Sequence, residues 1–320
     1  MASQSIHAVV RSCGERTEAL CCRLVEQQLP PGASLSVVSG APFEKTLRAC
    51  YETAIAAAAD WTLTVDADLL LAPGALDRLL RLAAQMPPAF LQLEARAFDQ
   101  IQGRWREVGH RIYRTELLPK ALAILPAHGA LIRPESATIK RLGDQGHPSR
   151  MVDVPVGLHD FEQYRRDLYR KAFTHAAKHR SRAGRIIERC AARRAVDDDH
   201  LVMLKGVWDG LLHDGPVQLD ADAFRDRATA ALAEMGLAEK PDLDPVGWLA
   251  EGDTETRMQE VMTASPPPIF APVDEPPREI GPIERLLRGY RYRLRTRGLV
   301  GGNLGAIGAI LRGLGGLLDR

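Results

Sequence analysis

The chain has 320 residues, 45% hydrophobic and only 5% aromatic, so it can bury a sizeable core, and a catalytic domain with appendages is the first expectation. Lys and Arg (42) nearly cancel Asp and Glu (41), which argues against a whole-chain polyanion binder, and nucleic acid is not an expected partner. Five cysteines without a Cys-x-x-Cys pair argue against a disulfide framework or a thiolate zinc site and favour a reducing, cytoplasmic setting.

The opening MASQSIHAVVRSCGER lacks the apolar core of a signal peptide. It leads into a short β-branched run at Ile6–Val10 and helix formers over Glu15–Gln28 that stop at Pro30-Pro31. Leu35–Val38 predicts a second strand, Glu44–Ala58 a second helix and Trp61–Val65 a third strand. Pro73 stands where a helix can start, and Gly74–Gln85 follows with Leu76, Leu79, Leu80 and Leu82. Strand, helix, strand, helix, strand at this spacing predicts an α/β domain with a mostly parallel sheet flanked by helices. Ligands of such sheets sit beyond the carboxyl ends of the strands, which singles out Arg11–Gly14, Ser39–Phe43 and Asp66–Asp68.

Ala89–Ala97 and Arg104–Arg114 read as extended segments joined by a turn at Gly103, followed by a helix at Glu116–Ala123 and a strand at Met151–Val156. Beyond Gly157 the chain predicts long helices. Gln163–Arg194 carries 11 Lys/Arg against 2 Asp/Glu, and Asp197–Glu260 carries 16 acidic residues against 5 basic, so the two stretches are expected to neutralise each other or face solvent. Within them, His175 and His179 belong to a basic face, and Asp197-Asp198-Asp199 starts a helix. The expected organisation is a catalytic domain over 1–160, a helical region over 161–262, a proline-rich linker over 263–282 and a basic amphipathic tail over 283–320.

The sharpest chemical feature is Asp66-Ala67-Asp68, directly after an apolar strand. Two carboxylates one residue apart at the end of a buried strand can address one hard divalent cation, Mn²⁺ or Mg²⁺, which would neutralise a diphosphate. Here the sequence resembles the glycosyltransferases of the GT-A fold over about residues 6–170. The matching stretches are Val9-Val10-Arg11-Ser12 with Arg16, Lys45–Glu52 with Arg48, and Asp60–Asp68. The resemblance implies a nucleoside-diphosphate sugar donor, with Arg11, Arg16 and Arg48 on the donor side. It also implies Asp66 near the ribose or metal and Asp68 as a ligand of the metal bridging the donor phosphates. The acidic residue that family members place after the second strand to hold the nucleobase is replaced here by Ser39-Gly40.

Val156-Gly157-Leu158-His159-Asp160-Phe161-Glu162 follows a predicted strand and is expected to open a helix. Inverting members of the family carry an acidic base at such a position, which implies Asp160 as the base that deprotonates the acceptor hydroxyl, with Glu162 second. Asp160 is equally suited to capping that helix. The resemblance also implies His159 as a metal ligand. On the strand Gly109–Arg114, alternation puts His110, Ile112 and Arg114 on one face and Arg111 and Tyr113 on the other, with Arg111 and Arg114 expected near acceptor or phosphate.

Seven prolines between Ser265 and Pro282 predict an extended linker. The tail carries eight Arg against Glu284 and Asp319, with Ile283, Leu286, Leu287, Tyr290 and Leu294 at helical spacing. Its longest uncharged apolar run, Leu299–Leu311, has 13 residues, short of the roughly 18–20 that span a bilayer. The tail is therefore expected to be disordered, docked on the protein, or laid on an anionic membrane surface, peripherally on the inner face. The expected activity is an inverting, metal-dependent glycosyltransferase of surface polysaccharide or glycoconjugate synthesis, acting on a saccharide or lipid-linked acceptor. The alternatives are a nucleotidyltransferase, or a catalytically silent GT-A-like binding subunit.

Overall fold

A computed structural model describes residues 5–40, 42–127, 133–195, 197–215, 217, 222–250 and 253–265. The expected linker beyond 265 and the whole basic tail lie outside the described residues. The first half alternates β1 (Ile6–Ser12), α1 (Glu18–Glu26), β2 (Ser34–Ser39), α2 (Phe43–Ala57) and β3 (Trp61–Asp66). Next come β4 (Leu69–Leu71), α3 (Ala75–Ala83), β5 (Gln92–Asp99), β6 (Arg104–Arg106) and β7 (His110–Arg114). Helices α4 (Leu118–Ala123) and α5 (Pro134–Asp144) lead to β8 (Ser149–His159).

The described strands form one sheet in the order β2-β1-β3-β7-β5-β8-β4, with β6 paired to β5. Strands β2, β1 and β3 run parallel, as the alternating pattern predicts. The second half is mixed: β7 is antiparallel to both β3 and β5, β8 is parallel to β5, and β4 is antiparallel to β8. This is the α/β arrangement that the resemblance implies, with the Asp-x-Asp pair at the carboxyl end of the third strand. Strand β4 was not legible in the sequence, because three leucines flanked by turn residues are too short to show a period. It pairs closely with β8 at Gly157, where a Cβ would lie 2.1 Å from the Leu70 carbonyl oxygen, so a side chain there would force the strands apart.

Alternation along β1 sorts the core. Ile6, Ala8 and Val10 join Leu20, Leu63, Leu76 and Leu158 on one face, whereas Val9 packs with Leu47, Tyr51 and Leu118 on the other. Beyond β8 the described chain is helical: α6 (Arg165–Lys178), α7 (Ala183–Arg193), α8 (Asp198–Leu212), α9 (Arg225–Glu234), α10 (Pro245–Ala250) and α11 (Asp253–Ala264). Trp248 of α10 and Met258 of α11 belong to the core of the first face, while α6 to α9 build their own core around Phe173, Ile186 and Met203. Helix α8 lies close on α6, because a Cβ at Gly210 would meet the Phe173 carbonyl oxygen at 2.3 Å. Asp197 caps α8 by accepting from the Asp199 amide at 2.8 Å, the role its acidic run predicts. Arg165 faces Asp198 and Asp199 at 3.2 and 3.6 Å, so part of the basic stretch does answer the acidic one. No helix among the described residues is long and apolar enough to cross a membrane.

Candidate functional site

Four strands deliver their carboxyl ends to one edge of the sheet: β1 at Ser12, β3 at Asp66, β5 at Asp99 and β8 at His159. Register fixes their neighbours, with Arg11 opposite Asp66 and Asp99 opposite His159. Asp66 and Asp68 leave this edge in different directions.

Asp66 turns toward Arg11, whose Nε donates to its Oδ1 at 2.7 Å. Arg11 is 5% exposed and also donates through Nη1 to Glu135 Oε1 at 2.8 Å. The same Glu135 oxygen accepts from the Tyr113 hydroxyl at 2.8 Å, and Glu135 Oε2 lies 3.6 Å from Arg111 Nε. Arg111 is paired in turn with Glu94. Burial works to raise the Glu135 carboxyl, yet Arg11 and Arg111 hold it down at about 2. For Asp66 burial outweighs the pull of Arg11, and its carboxyl is raised. Arg111 and Tyr113 thus share one face of β7, as alternation predicts, but here they meet Glu135. Arg114, on the other face, lies over the Trp61 ring at 4.5 Å.

Asp68 enters a second cluster. Its Oδ2 accepts from Lys171 Nζ at 2.5 Å, and its Oδ1 is 3.3 Å from His159 Nε2. Lys171 also donates to Asp160, and His159 Nδ1 stands 3.0 Å from Asp160 Oδ2 and 3.8 Å from Asp99 Oδ2. Asp99 is paired with Arg106 at the start of the turn-bounded hairpin. Burial alone would lower His159, but the facing Asp160 and Asp68 carboxylates raise it to about 10. Its two carboxylate neighbours therefore hold the ring protonated, and it can ligate a metal only after losing that proton. Burial would likewise raise the two carboxyls. Lys171 and His159 instead lower Asp68, and His159 and Lys171 lower Asp160.

Asp160 does not open a helix, which corrects the expectation. Helix α6 begins only at Arg165, with Tyr164 at its N-cap. Asp160 sits in the connection with a left-handed φ of 64°, as does Glu162 at 52°. Non-glycine residues there are strained, though aspartate is among the most tolerant. What holds Asp160 is its amide, which donates to the Asp68 carbonyl oxygen at 3.0 Å and locks the two carboxylates side by side. Glu162 is occupied by Arg16, which reaches its Oε2 at 3.0 Å and donates to the Pro241 carbonyl at 2.7 Å. Arg48 is exposed on α2 and joins neither cluster.

The structure therefore brings Asp68, His159 and Asp160 together, while Asp66 and Arg11 form a neighbouring pair. Sequence reasoning missed Lys171, Glu135 and Asp99. Asp99 ends a strand at the same edge and was open to the carboxyl-end rule. Lys171 was hidden in a basic stretch expected to neutralise the acidic one or face solvent. Two nearby rings fit their expected reading: His175 and His179 lie 5.3 Å apart, and burial together with His179 and the surrounding Arg106, Arg182 and Arg104 holds His175 down at about 4.

Donor atoms of Asp68, His159 and Asp160 all lie within 4.8 Å of one another. Asp68 Oδ1 is buried without a hydrogen bond. Two carboxylates and an imidazole suit a hard or borderline divalent ion, so the residues fit Mn²⁺ or Mg²⁺.

No protein-family model matches this sequence, and no curated protein matches it. Among solved structures, the chain is similar to the mannosyltransferase PcManGT from Pyrobaculum calidifontis in complex with GDP-Man and Mn²⁺. The identity is 14%, over 81% of this chain and 85% of that one, with a TM-score of 0.37. It is also similar to glucosyl-3-phosphoglycerate synthase from Mycobacterium tuberculosis with Mg²⁺ and uridine diphosphate (15% identity, 49% of this chain, 72% of that one, TM-score 0.35). A third is 4-diphosphocytidyl-2C-methyl-D-erythritol synthase from Anaerococcus prevotii (9% identity, 47% of this chain, 89% of that one, TM-score 0.37).

Proposed function

We propose that this protein is a glycosyltransferase that moves a sugar from a nucleoside-diphosphate sugar to an acceptor hydroxyl, with inversion at the anomeric carbon. One observation carries the reading. A buried cluster of two aspartates, a histidine and a lysine stands at the carboxyl edge of the sheet, immediately after the Asp-x-Asp strand. A diphosphate leaving group needs positive charge as its bond to the sugar breaks, and this edge holds cationic groups that can supply it. Arg16 and exposed Arg48 on α2 would serve the donor, whereas buried Arg11, held by Asp66 and Glu135, orders the edge. Ser39-Gly40 ends β2 without an acid for the nucleobase.

Asp68 and His159 would hold Mn²⁺ or Mg²⁺, with Asp160 in reach and Asp66 tied to Arg11. A bound divalent ion supplies charge neutralisation for the departing nucleoside diphosphate. The chain's own residues do the rest. The Asp68 backbone orients Asp160, and Asp160 takes the proton from the acceptor hydroxyl as that oxygen attacks the anomeric carbon. A carboxylate pinned between Lys171 and His159 is a weak base, so Asp160 becomes competent only when one of those cations turns to another anion. The acceptor is a saccharide or lipid-linked saccharide of surface polysaccharide or glycoconjugate synthesis. In this reading the enzyme acts in the cytoplasm, and the basic tail brings it to an anionic membrane surface, which co-sedimentation with anionic and neutral liposomes tests.

The deciding experiment is calorimetric titration of UDP, GDP, ADP and CDP in Mn²⁺ against wild type and Asp68→Asn, followed by product analysis with the donor that binds. Release of nucleoside diphosphate is expected. Release of pyrophosphate would instead mark a nucleotidyltransferase, and binding without turnover a silent GT-A-like subunit.

A further inference from the structure

The carboxylates offered to a divalent ion already have a cation between them. Lys171 Nζ lies 2.5 Å from Asp68 Oδ2 and bonds Asp160 Oδ1 as well. All three side chains are nearly enclosed, at 17%, 10% and 5% exposure. The ammonium arrives from α6, which α8 presses into place at Gly210, whereas the carboxylates come from the β3–β4 and β8–α6 connections. This is no chance surface pairing, since three separate parts of the chain converge on one point.

A divalent ion held by Asp68, with Asp160 in reach, would need the space beside the Asp68 carboxylate that faces Asp160. Lys171 Nζ fills that space. Holding both cations there would place their three positive charges, with the His159 ring beside them, against two carboxylates in a region with little water to screen them. The second oxygen of Asp68, Oδ1, takes no hydrogen bond, so the ammonium has not used the full ligand capacity of the site.

We infer that Lys171 and the divalent ion are alternative occupants of one cation seat, and that a nucleoside diphosphate decides between them by offering the ammonium a second anion. The inference rests on the donor reading above and deepens it. A lysine suits the task because its charge is compact and its four-carbon stem is flexible, so Nζ can leave the carboxylates while α6 stays fixed. Removing it from two buried carboxylates is costly unless both it and they find new partners in the same step. Diphosphate and metal together provide those partners, and neither alone does. One consequence is order. Asp160 stays locked in an ion pair until the donor is bound, so the base is withheld from the acceptor until there is a sugar to transfer.

Binding of Mn²⁺ to the full chain, read from the electron paramagnetic resonance signal of the free ion, tests this without any turnover. Lys171→Met removes the charge and keeps the stem, and Lys171→Gln serves where Met leaves the two carboxylates too exposed to each other for folding. Both variants are expected to bind Mn²⁺ about 10-fold tighter than wild type or more, within the usual range of coupling between sites. UDP or GDP, whichever binds, is expected to tighten Mn²⁺ in wild type by a similar factor and to do much less in the variants. Equal Mn²⁺ affinity in wild type and both variants, or weaker binding in the variants, overturns the shared seat while leaving the glycosyltransferase reading standing. Tighter Mn²⁺ in the variants with no effect of any nucleoside diphosphate on wild type overturns the diphosphate as the releasing ligand, and the donor reading falls with it.

Discussion

Asp66 and Asp68 are one residue apart, yet they belong to two clusters built on opposite terms. Around Asp66 the charges converge on one carboxylate: Glu135 takes Arg11, Tyr113 and Arg111, and Arg11 spans Asp66 and Glu135. Its members come from β1, β3, β7 and α5, so the network ties distant parts of the sheet together. Around Asp68 two cations are shared between two carboxylates and the compromises are visible, with an unbonded oxygen on Asp68 and a left-handed backbone at Asp160. Well-satisfied charges hold a fold, and strained or under-bonded ones are kept where something has to bind or move. In the proposed reading, the Asp-x-Asp pair is thus divided between a structural aspartate and a reactive one.

That division is easiest to break at Asp160. If the cluster around Asp68 is the reactive half, Asp160→Asn should keep nucleoside-diphosphate affinity while lowering transfer by ~10²–10⁴-fold, the usual scale of acid–base catalysis. A wild-type rate, or a product that retains the donor's anomeric configuration, removes Asp160 as the inverting base. Next in size is Asp68→Asn, expected to weaken Mn²⁺-dependent nucleoside-diphosphate binding by ~100-fold, the upper end of what even outer partners of a metal contribute. Its melting temperature should fall less than that of Glu135→Gln, because Lys171 and His159 still face Asp160. A large loss of stability with intact binding would reverse the roles assigned to the two aspartates.

Glu135→Gln should show the opposite profile. Removing one partner of a buried ion pair typically costs about 3–5 kcal/mol, and here Arg11 and Arg111 would each lose one of two counter-charges. For a protein of this size a loss of 3 kcal/mol lowers the melting temperature by roughly 6–12 °C. Donor binding per folded molecule should change little. If calorimetry instead finds full stability and lost binding, the Asp66 side is part of the donor site and the comparison fails.

Much of this division was written in the chain, but not all of it. The three parallel strands and their helices were legible because β-branched runs and leucine spacing repeat over enough residues to show a period. The carboxyl-end rule then placed Arg11, Asp66 and Asp68 at one edge of the sheet, where the structure has them. Asp160 was legible as a residue but not as a conformation, since nothing local announces a left-handed aspartate before a helix that starts five residues later. Lys171 and Glu135 were beyond reach for a different reason. Their partners lie 103 and 124 residues away in the chain, and only the packing of α6 and α5 on the sheet edge brings them in. Charge counting treated Lys171 as one of many solvated cations. Burial between two carboxylates is what sets it apart.

The smallest expected effect is also the one that isolates a single group. Folded Glu135 has its carboxyl at about 2, against an ordinary 4.5, because Arg11 and Arg111 favour the charged form over the opposing effect of burial. The unfolded chain therefore takes up this proton first as pH falls. The stabilisation from Glu135 is complete above pH 4.5, shrinks as pH drops through the window between 4.5 and 2, and is gone below it. Asp68 and Asp160, also lowered, lose stabilisation in acid too, but they do so equally in wild type and in Glu135→Gln. The stability gap between the two proteins, measured by denaturant titration at pH 6, 4 and 3, should thus be constant near neutrality and narrow steadily below about pH 4.5. A gap that stays constant down to pH 3 would mean that Glu135 is not held charged by its arginines, and that the Asp66 side owes its order to packing rather than to ion pairs.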